Sequence, residues 1–291
     1  VQPVAYIPAT TVDEAVKALQ EGGELARVLS GGTDVIVQAR EGRRNVAMLV
    51  DIKKIAEANV MRFEQQDGLT LGATVPCYKI YGNETIQRLY PALVDSASLI
   101  GGTQIQSRAS LGGNLCNSSP AADSIPTLIA LEVTCTIAGP HGTRRVPVEE
   151  FCIGPGQNQL QPGEMLVSFH FPPPKPRSGA CFLRFIPRNE MDIAVANAAV
   201  SLGLNERRDT IEWSRVAIGA VAPTPLLVPA AGEALTGAPA TTDGIAKAME
   251  AARAAARPIN DMRGSVAQRR HLVGVLVRRA AEAAIERAKN A

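Results

Sequence analysis

The sequence predicts an α+β fold in two parts, and three observations carry that prediction. The first sixty residues alternate helical and strand patterns. The middle of the chain holds several short strand-like runs separated by Gly and Pro, which points to a mainly antiparallel sheet. A proline-rich stretch, "FPPPKPRSG" at 171 to 179, then reads as a linker to longer strands followed by Ala-rich helices.

The elements follow in order. Thr11-x-x-Glu14 forms a capping box, Val12, Ala15, Val16 and Leu19 recur at helical spacing, and Gly22-Gly23 ends the run. "ARVLS" reads as a short buried strand, "GGTD" breaks it, "VIVQAR" begins a helix, and "MLVDI" (Met48 to Ile52) is a further strand. A loop between a strand and a helix is a common seat for phosphate. Further on, "GLTLGATV" alternates as a strand. Ile86, Leu89, Tyr90, Leu93, Val94, Ala97 and Ile100 mark one helix that stops at Gly101-Gly102. The stretch "SLGGNLCNSSPAADSIP" (Ser110 to Pro126) shows no helical pattern until a short helix from about Ser124 to Leu131. "EVTCTIAG", "RRVPVEEF" and "EMLVSFHF" are strand-like. Past the linker, "CFLRFIP", "DIAVANAAVSLGL" and "IEWSRVAIGAVA" read as three longer strands. "TPLLVPAAGEALTG" then leads into amphipathic segments at 243 to 256 and 267 to 289.

Apolar residues make up 46% of the 291, enough for a real core. A net charge of +2 gives no reason to expect nucleic acid or an anionic membrane as partner. The Arg and Glu residues of the C-terminal segment alternate with Leu, Val and Ala, so that segment reads as a solvated amphipathic face. No apolar run reaches about 18 residues, so no integral membrane span is expected. The first residues lack a basic region followed by an apolar one, so no secretory signal is expected, and the expected location is cytoplasmic. Cys77, Cys116, Cys135, Cys152 and Cys181 are scattered and never paired as C-x-x-C, which argues for buried thiols over disulfides, zinc or an iron–sulfur site in this chain. His141, His170 and His271 lack metal-ligand spacing.

Two stretches stand out chemically: Ser30-Gly31-Gly32-Thr33-Asp34 and Ser110-Leu111-Gly112-Gly113-Asn114. Neither is a G-x-G-x-x-G or a G-x-x-x-x-G-K-[ST] fingerprint. Glycines let a backbone turn sharply and let a ligand approach closely, and successive free N–H groups in such a turn suit a pyrophosphate. Ser30, Thr33 and Ser110 add hydroxyl donors. Together the two stretches read as loops gripping one anionic, dinucleotide-like ligand. Asp123 is open to two readings: the N-cap of the helix that follows, or an acceptor for a ribose or flavin side chain.

"VLSGGTDV", "LVDI", "GGTQIQSRASLGGNLCNSSPAAD", "FLRFIPRNEMDIAVANAAVSL" and "INDMRGSVAQRRHLV" occur in the order found in the FAD-binding medium subunits of molybdenum hydroxylases, and the chain resembles that family over nearly its whole length. The family includes the carbon monoxide dehydrogenase medium subunit and the flavin domain of xanthine dehydrogenase. The resemblance implies a vanillyl-alcohol-oxidase-like (PCMH-type) FAD-binding domain over 1 to 176, in subdomains of about 1 to 58 and 59 to 176. It also implies a C-terminal domain over 177 to 291, a three-stranded antiparallel sheet with helices. It implies non-covalent FAD whose pyrophosphate lies between the two stretches. Val28, Leu29, Ser30, Gly31, Gly32, Thr33, Asp34 and Val35 match the first motif. Ser110, Leu111, Gly112, Gly113 and Asn114 match the second. Ile100, Asp123, Leu166 and Arg184 match positions flanking the rest of the cofactor. Ile193 matches the position that covers one flavin face, where many relatives have an aromatic. The chain departs from the family in reading "QIQS" for "QIRN", so that Gln106 replaces a positive charge, and "SLGGN" for "TIGGN", which keeps a hydroxyl at Ser110.

The resemblance further implies an oxidoreductase subunit with no catalytic acid or base and no metal of its own. It would pass electrons from the 2Fe–2S clusters of a small partner subunit through FAD to an external acceptor. A large partner subunit would hold the molybdenum cofactor, and the assembly would be a dimer of heterotrimers. Hydrogen bonds and positive charge, with Arg184 a candidate, would tune the flavin. Two other readings stay open: a free-standing FAD-dependent oxidase or reductase, and a cofactor-free scaffold subunit.

Overall fold

The computed structural model describes residues 3–188 and 191–291. A parallel three-stranded sheet leads the chain, built from β1 (Ala5–Pro8), β2 (Ala26–Leu29) and β3 (Met48–Asp51) in the order β1-β3-β2. The helix Val12–Gly22 joins β1 to β2 and buries Ala15, Val16, Ala18 and Leu19. Gly23, at φ +53°, ends it. Sequence periodicity missed β1, whose four residues are too few to show alternation. The capping box forms only in part. Glu14 N–H donates to Thr11 Oγ1, but the Glu14 carboxylate accepts from the N–H and Oγ1 of Thr10, one residue earlier than the motif requires.

The second sheet is wholly antiparallel, as expected. Its strands are β4 (Met61–Glu64), β5 (Gly68–Gly72), β6 (Thr134–Gly139), β7 (Gly142–Pro147) and, after the hairpin of β8 (Cys152–Gly154) and β9 (Gln157–Asn158), β10 (Met165–Phe171). The order is β4-β5-β10-β6-β7, and the strip "VEEF" is a helical turn following β7. Between β5 and β6 lies a helical layer. After the helix Cys77–Tyr81, the single helix expected over Ile86 to Ile100 is instead two, Glu84–Leu89 and Pro91–Ala97. Pro91 has no N–H to continue the ladder, and Tyr90 leaves helical geometry at φ −132°, ψ 55°. Tyr90 still packs inward, edge-on to Phe63 and Phe171, so the apolar periodicity runs through the break.

The C-terminal part holds β11 (Ser178–Phe185), β12 (Ala196–Leu204), β13 (Ile211–Gly219) and β14 (Leu226–Leu227), paired antiparallel in that order. The sheet is thus one two-residue strand wider than the three expected. Asp192–Val195 stay outside β12, and the connection from β10 shrinks to residues 172 to 177. The helix Val266–Lys289 packs across β11 and β12 through Val273, Leu276, Val277, Ala280, Ala281 and Ala284. Gly179 permits that approach, since a Cβ there would meet Ala284 O. Asp95 and Arg287 tie the two parts by a paired ion bridge (2.6 and 2.9 Å), and Arg287 also donates to Ala180 O. Among the described residues no helix is long and apolar enough to cross a membrane.

Candidate functional site

A cleft of about 490 Å³ opens where the parallel sheet meets the helical layer and β10. Of the expected residues it brings together Val28, Ser30, Gly31, Gly32, Thr33, Asp34, Val35, Ile100, Ser110, Gly112, Gly113, Asn114 and Leu166. Residues 80 positions apart meet directly: Ser30 Oγ lies 3.0 Å from Ser110 Oγ. Gln38 Nε2 donates to Asn117 Oδ1 at 3.2 Å and closes the same seam farther along.

The first glycine stretch is the loop expected. It runs from the end of β2 into the helix Val35–Arg40, and Gly32 turns it at φ +78°. The N–H groups of Gly31, Gly32, Thr33 and Asp34 donate to no described residue. Four unsatisfied donors in one turn beside a cleft suit a bound anion. Gly31 is required for another reason: a Cβ would collide with Arg108 O, where this loop crosses the second stretch.

The second stretch is not a loop. Ser110 is the N-cap of a helix spanning Leu111–Asn117, its Oγ accepting from Gly113 N–H at 3.1 Å. Gly112 N–H donates to Ala73 O and Asn114 N–H to Ser110 O, so with Gly113 three of the donors expected to be free are satisfied within the protein. The two glycines in it do different jobs. A Cβ on Gly112 would strike Ala73 O, so Gly112 allows the helix to sit on β5's extension. A Cβ on Gly113 would meet only Ser110 Oγ, at 3.5 Å, and otherwise project into open space. Gly113 therefore keeps a surface of the cleft clear. Asn114 Oδ1 accepts from Ser124 N–H and Oγ (3.3 and 2.6 Å), which fixes this helix to the next.

Five expected residues do not line the cleft. Leu29 and Leu111, on the inward side of their motifs, are 7% and 1% exposed and serve the core. Asp123 precedes the helix Ser124–Ala130 but makes no side-chain cap to it, which overturns the capping reading. It pairs instead with Arg184 of β11 at 2.6 Å, both side chains buried. Its Oδ1 has no partner. Burial pushes the Asp123 carboxyl up to about 7, with the Arg184 guanidinium opposing the shift. Ile193 is exposed, on the segment that follows β11.

Other cleft residues went unnoticed in the sequence. Arg27 and Arg44 stand at one end, and Asn117, Asn158 and Gln161 along a wall. Arg27 is adjacent to the first motif and Asn117 to the second, so proximity to a motif was their only signal. Asn158 has none; it arrives through the β8–β9 hairpin and donates to Cys116 O at 2.9 Å. Cys116 also lines the cleft, but burial pushes its thiol up to about 12, so it is neutral rather than nucleophilic. The Glu164 carboxylate is held by Arg144 (2.8 Å to each oxygen), which keeps it below the usual carboxylate range. Gln106 donates to Ser98 O at 2.7 Å and to Gly101 O at 3.4 Å, so it shapes the turn beside Ile100. The arrangement is one that binds an anion next to apolar walls. Free donors, a surface kept clear by Gly113 and apolar Ile100 and Leu166 fit a flavin dinucleotide.

Comparison with known proteins agrees with that fit. Residues 2–174 match the family described as FAD binding domain in molybdopterin dehydrogenase. Residues 182–284 match that described as CO dehydrogenase flavoprotein C-terminal domain. The chain is 30% identical to the xanthine dehydrogenase FAD-binding subunit of Escherichia coli O157:H7, over 97% of this chain and 96% of that one. It is 30% identical to the carbon monoxide dehydrogenase medium chain of Afipia carboxidovorans, over 98% of each. A chain in the crystal structure of a cyanide-inactivated Cu,Mo-CO dehydrogenase superposes with a TM-score of 0.93 at 28% identity, covering 99% of this chain and all of that one.

Proposed function

The chain belongs to the family of FAD-binding domains in molybdopterin dehydrogenases, and from that premise we propose that it is the electron-relay subunit of a multi-subunit molybdenum hydroxylase. It is an FAD-binding oxidoreductase subunit. In the proposed role it receives electrons from the 2Fe–2S clusters of a small partner subunit and delivers them to an external acceptor, while a large partner subunit oxidises the substrate. Bound FAD would supply the redox chemistry, accepting electrons singly or in pairs.

This chain's own residues supply binding and orientation. The N–H groups of Gly31 to Asp34 would take the pyrophosphate charge. Gly113 leaves room for it, and the Ser30–Ser110 contact keeps the two walls in register. Ile100 and Leu166 would pack on the flavin side. Val28, Thr33, Val35, Gly32, Gly112 and Asn114 complete the proposed contacts. Leu29 and Leu111 support them from the core. Asp123, next to Ser124 of the Asn114–Ser124 bond, and its ion-pair partner Arg184 would flank the cofactor from behind the cleft lining. We take residues 1 to 176 as the PCMH-type FAD-binding unit, in two subdomains, and 177 to 291 as the C-terminal domain. The proposed assembly is a dimer of heterotrimers.

The single observation that supports the relay reading best is the cleft itself: its donors and clear surface bind an anionic cofactor, while Cys116 and Glu164 are held in unreactive states. The test is reduction by substrate. The chain expressed alone with stoichiometric FAD is expected to stay oxidised when organic substrates are added anaerobically and to bleach with dithionite. Co-assembled with molybdenum and iron–sulfur subunits, its flavin band is expected to bleach on adding the complex's substrate. Substrate-driven bleaching of the lone chain would overturn the relay.

A further inference from the structure

The helix Ser124–Ala130 packs on the helix Leu111–Asn117 on one side and on β12 and β13 on the other. All seven of its residues are buried. So short a helix is marginal by itself, and its place is set by what holds its ends. On the cleft side Ser124 donates through its N–H and Oγ to Asn114 Oδ1 (3.3 and 2.6 Å), and Asn114 lines the cleft.

The C-terminal sheet grips this helix at both ends. At the N-terminal end three neighbouring strands each supply one bond. Arg184 of β11 pairs with Asp123 at 2.6 Å, Asn197 of β12 donates through Nδ2 to Ala122 O at 3.4 Å, and Ala220, just past β13, donates its N–H to Pro120 O at 2.7 Å. Arg184, Asn197 and Gly219 are register partners across these strands. A Cβ on Gly219 would stand 2.3 Å from Asn197 Oδ1 and 3.0 Å from Pro126 Cγ, so Gly219 lets the helix sit against the sheet. At the other end the last carbonyls of the helix have no partner within it. Arg215 of β13 donates to one of them, Ile129 O, through Nε (3.3 Å) and Nη2 (3.1 Å), beside the N–H of Glu132 (3.2 Å). A cation there also complements the negative end of the helix. Glu149 pairs with the same Nη2, and Glu132 Oε1 lies 3.8 Å from Nη1. The Arg215 side chain is 22% exposed, so replacing it leaves no closed cavity.

We propose that Arg215 is a positioning residue for the cleft: by holding the C-terminal end of the helix Ser124–Ala130 against the sheet, it sets through Ser124 where Asn114 and the helix Leu111–Asn117 stand along the cofactor. The proposal rests on the reading of the cleft as an FAD site. It gives the C-terminal sheet a part in cofactor binding through a residue outside the cleft lining.

The test is titration of the full-length apoprotein with FAD. Arg215→Met keeps the packing of the stem and removes the donors. It is expected to weaken FAD binding about fivefold with far-UV circular dichroism unchanged. In a Ser124→Ala background, which lacks the 2.6 Å bond to Asn114, Arg215→Met is expected to add little further loss, because the two residues act along one route. Glu149→Gln loosens the guanidinium from its other side. It is expected to weaken FAD binding in the same direction and stands in if Arg215→Met does not fold. Wild-type affinity in Arg215→Met, or in Glu149→Gln where that stands in, would overturn the positioning role even if stability falls. A full additional loss in the Ser124→Ala background would overturn it as well, since the effect would then bypass Asn114. A wild-type chain that takes up no FAD would overturn the cofactor reading and this one with it, before any variant is made.

Discussion

The two glycine stretches have nearly the same composition and opposite structures. Ser30 to Asp34 is an open turn in which the N–H groups of Gly31 to Asp34 donate to no described residue. Ser110 to Asn114 opens a helix in which the N–H groups from Gly112 to Asn114 are already used. The difference lies in their neighbours. The second stretch starts with a Ser in extended geometry, and the N–H groups of Gly112, Gly113 and Asn114 find Ala73 O, Ser110 Oγ and Ser110 O. The first has Gly32 at positive φ, and its N–H groups from Gly31 to Asp34 find no partner among the described residues. Paired glycines therefore mark two distinct needs, a close crossing of backbones and an open surface: in the second stretch a Cβ on Gly112 would strike Ala73 O, whereas one on Gly113 would project into open space.

That distinction is broken most severely by testing the crossing glycines. Gly31→Ala and Gly112→Ala each drive a Cβ into a carbonyl oxygen, of Arg108 and of Ala73. Each is expected to cost about 2–3 kcal/mol of stability, read by denaturant titration of the apoprotein. If either apoprotein keeps wild-type stability, the crossing is wrong. Gly113 sharpens the contrast. Gly113→Val is expected to leave the thermal midpoint nearly unchanged and to weaken FAD binding by at least tenfold, about 1.4 kcal/mol, measured by titrating apoprotein. Undiminished affinity would mean that the open side of Gly113 does not face the cofactor. Gly32 is a poorer probe, because its φ of +78° and the nearness of Ile36 Cδ1 (2.7 Å) strain any replacement.

Asp123 offers a pH test between the cleft and its buried flank. Its carboxyl is raised by burial to about 7, so in the folded chain ionisation is disfavoured relative to the unfolded chain. The stability it contributes is present in full below the ordinary carboxylate range and is lost as pH rises through about 7. Asp123→Asn does not titrate. The midpoint difference, wild type minus Asp123→Asn, is expected to shrink as pH rises from about 4 to about 8. A difference that grows over that window would show that Arg184 holds the carboxylate ionised. The smallest effect belongs to the hydroxyl contact between the two stretches. Ser30→Ala removes the Ser30–Ser110 contact and is expected to cost about 1 kcal/mol of stability, with little change in the circular dichroism spectrum.

Local pattern made much of this chain readable. Helical spacing over Val12 to Leu19, alternation in "GLTLGATV" and the largely apolar "DIAVANAAVSLGL" each predict an element whose bounds the fold then trims, because each depends on residues within one helix or one strand. The motifs likewise marked the cleft's first loop, Ile100 and Leu166. Where spacing misled, a single atom decided: the missing N–H of Pro91 split a helix whose apolar face is otherwise unbroken.

What the sequence by itself determined is where most of the longer helices and strands lie and which short motifs gather at the site, since these follow from side-chain spacing and backbone freedom along the chain. What only the tertiary structure decided is which backbone donors lack a partner among the described residues, which glycine faces the open cleft and which faces a carbonyl, and that Asp123 pairs with Arg184 61 residues away without a side-chain cap to its own helix. The physical reason is that hydrogen-bond satisfaction and van der Waals exclusion depend on what lies across the gap, and that neighbour is supplied by distant chain: Ala73 to Gly112, Arg108 to Gly31, Ser30 to Ser110.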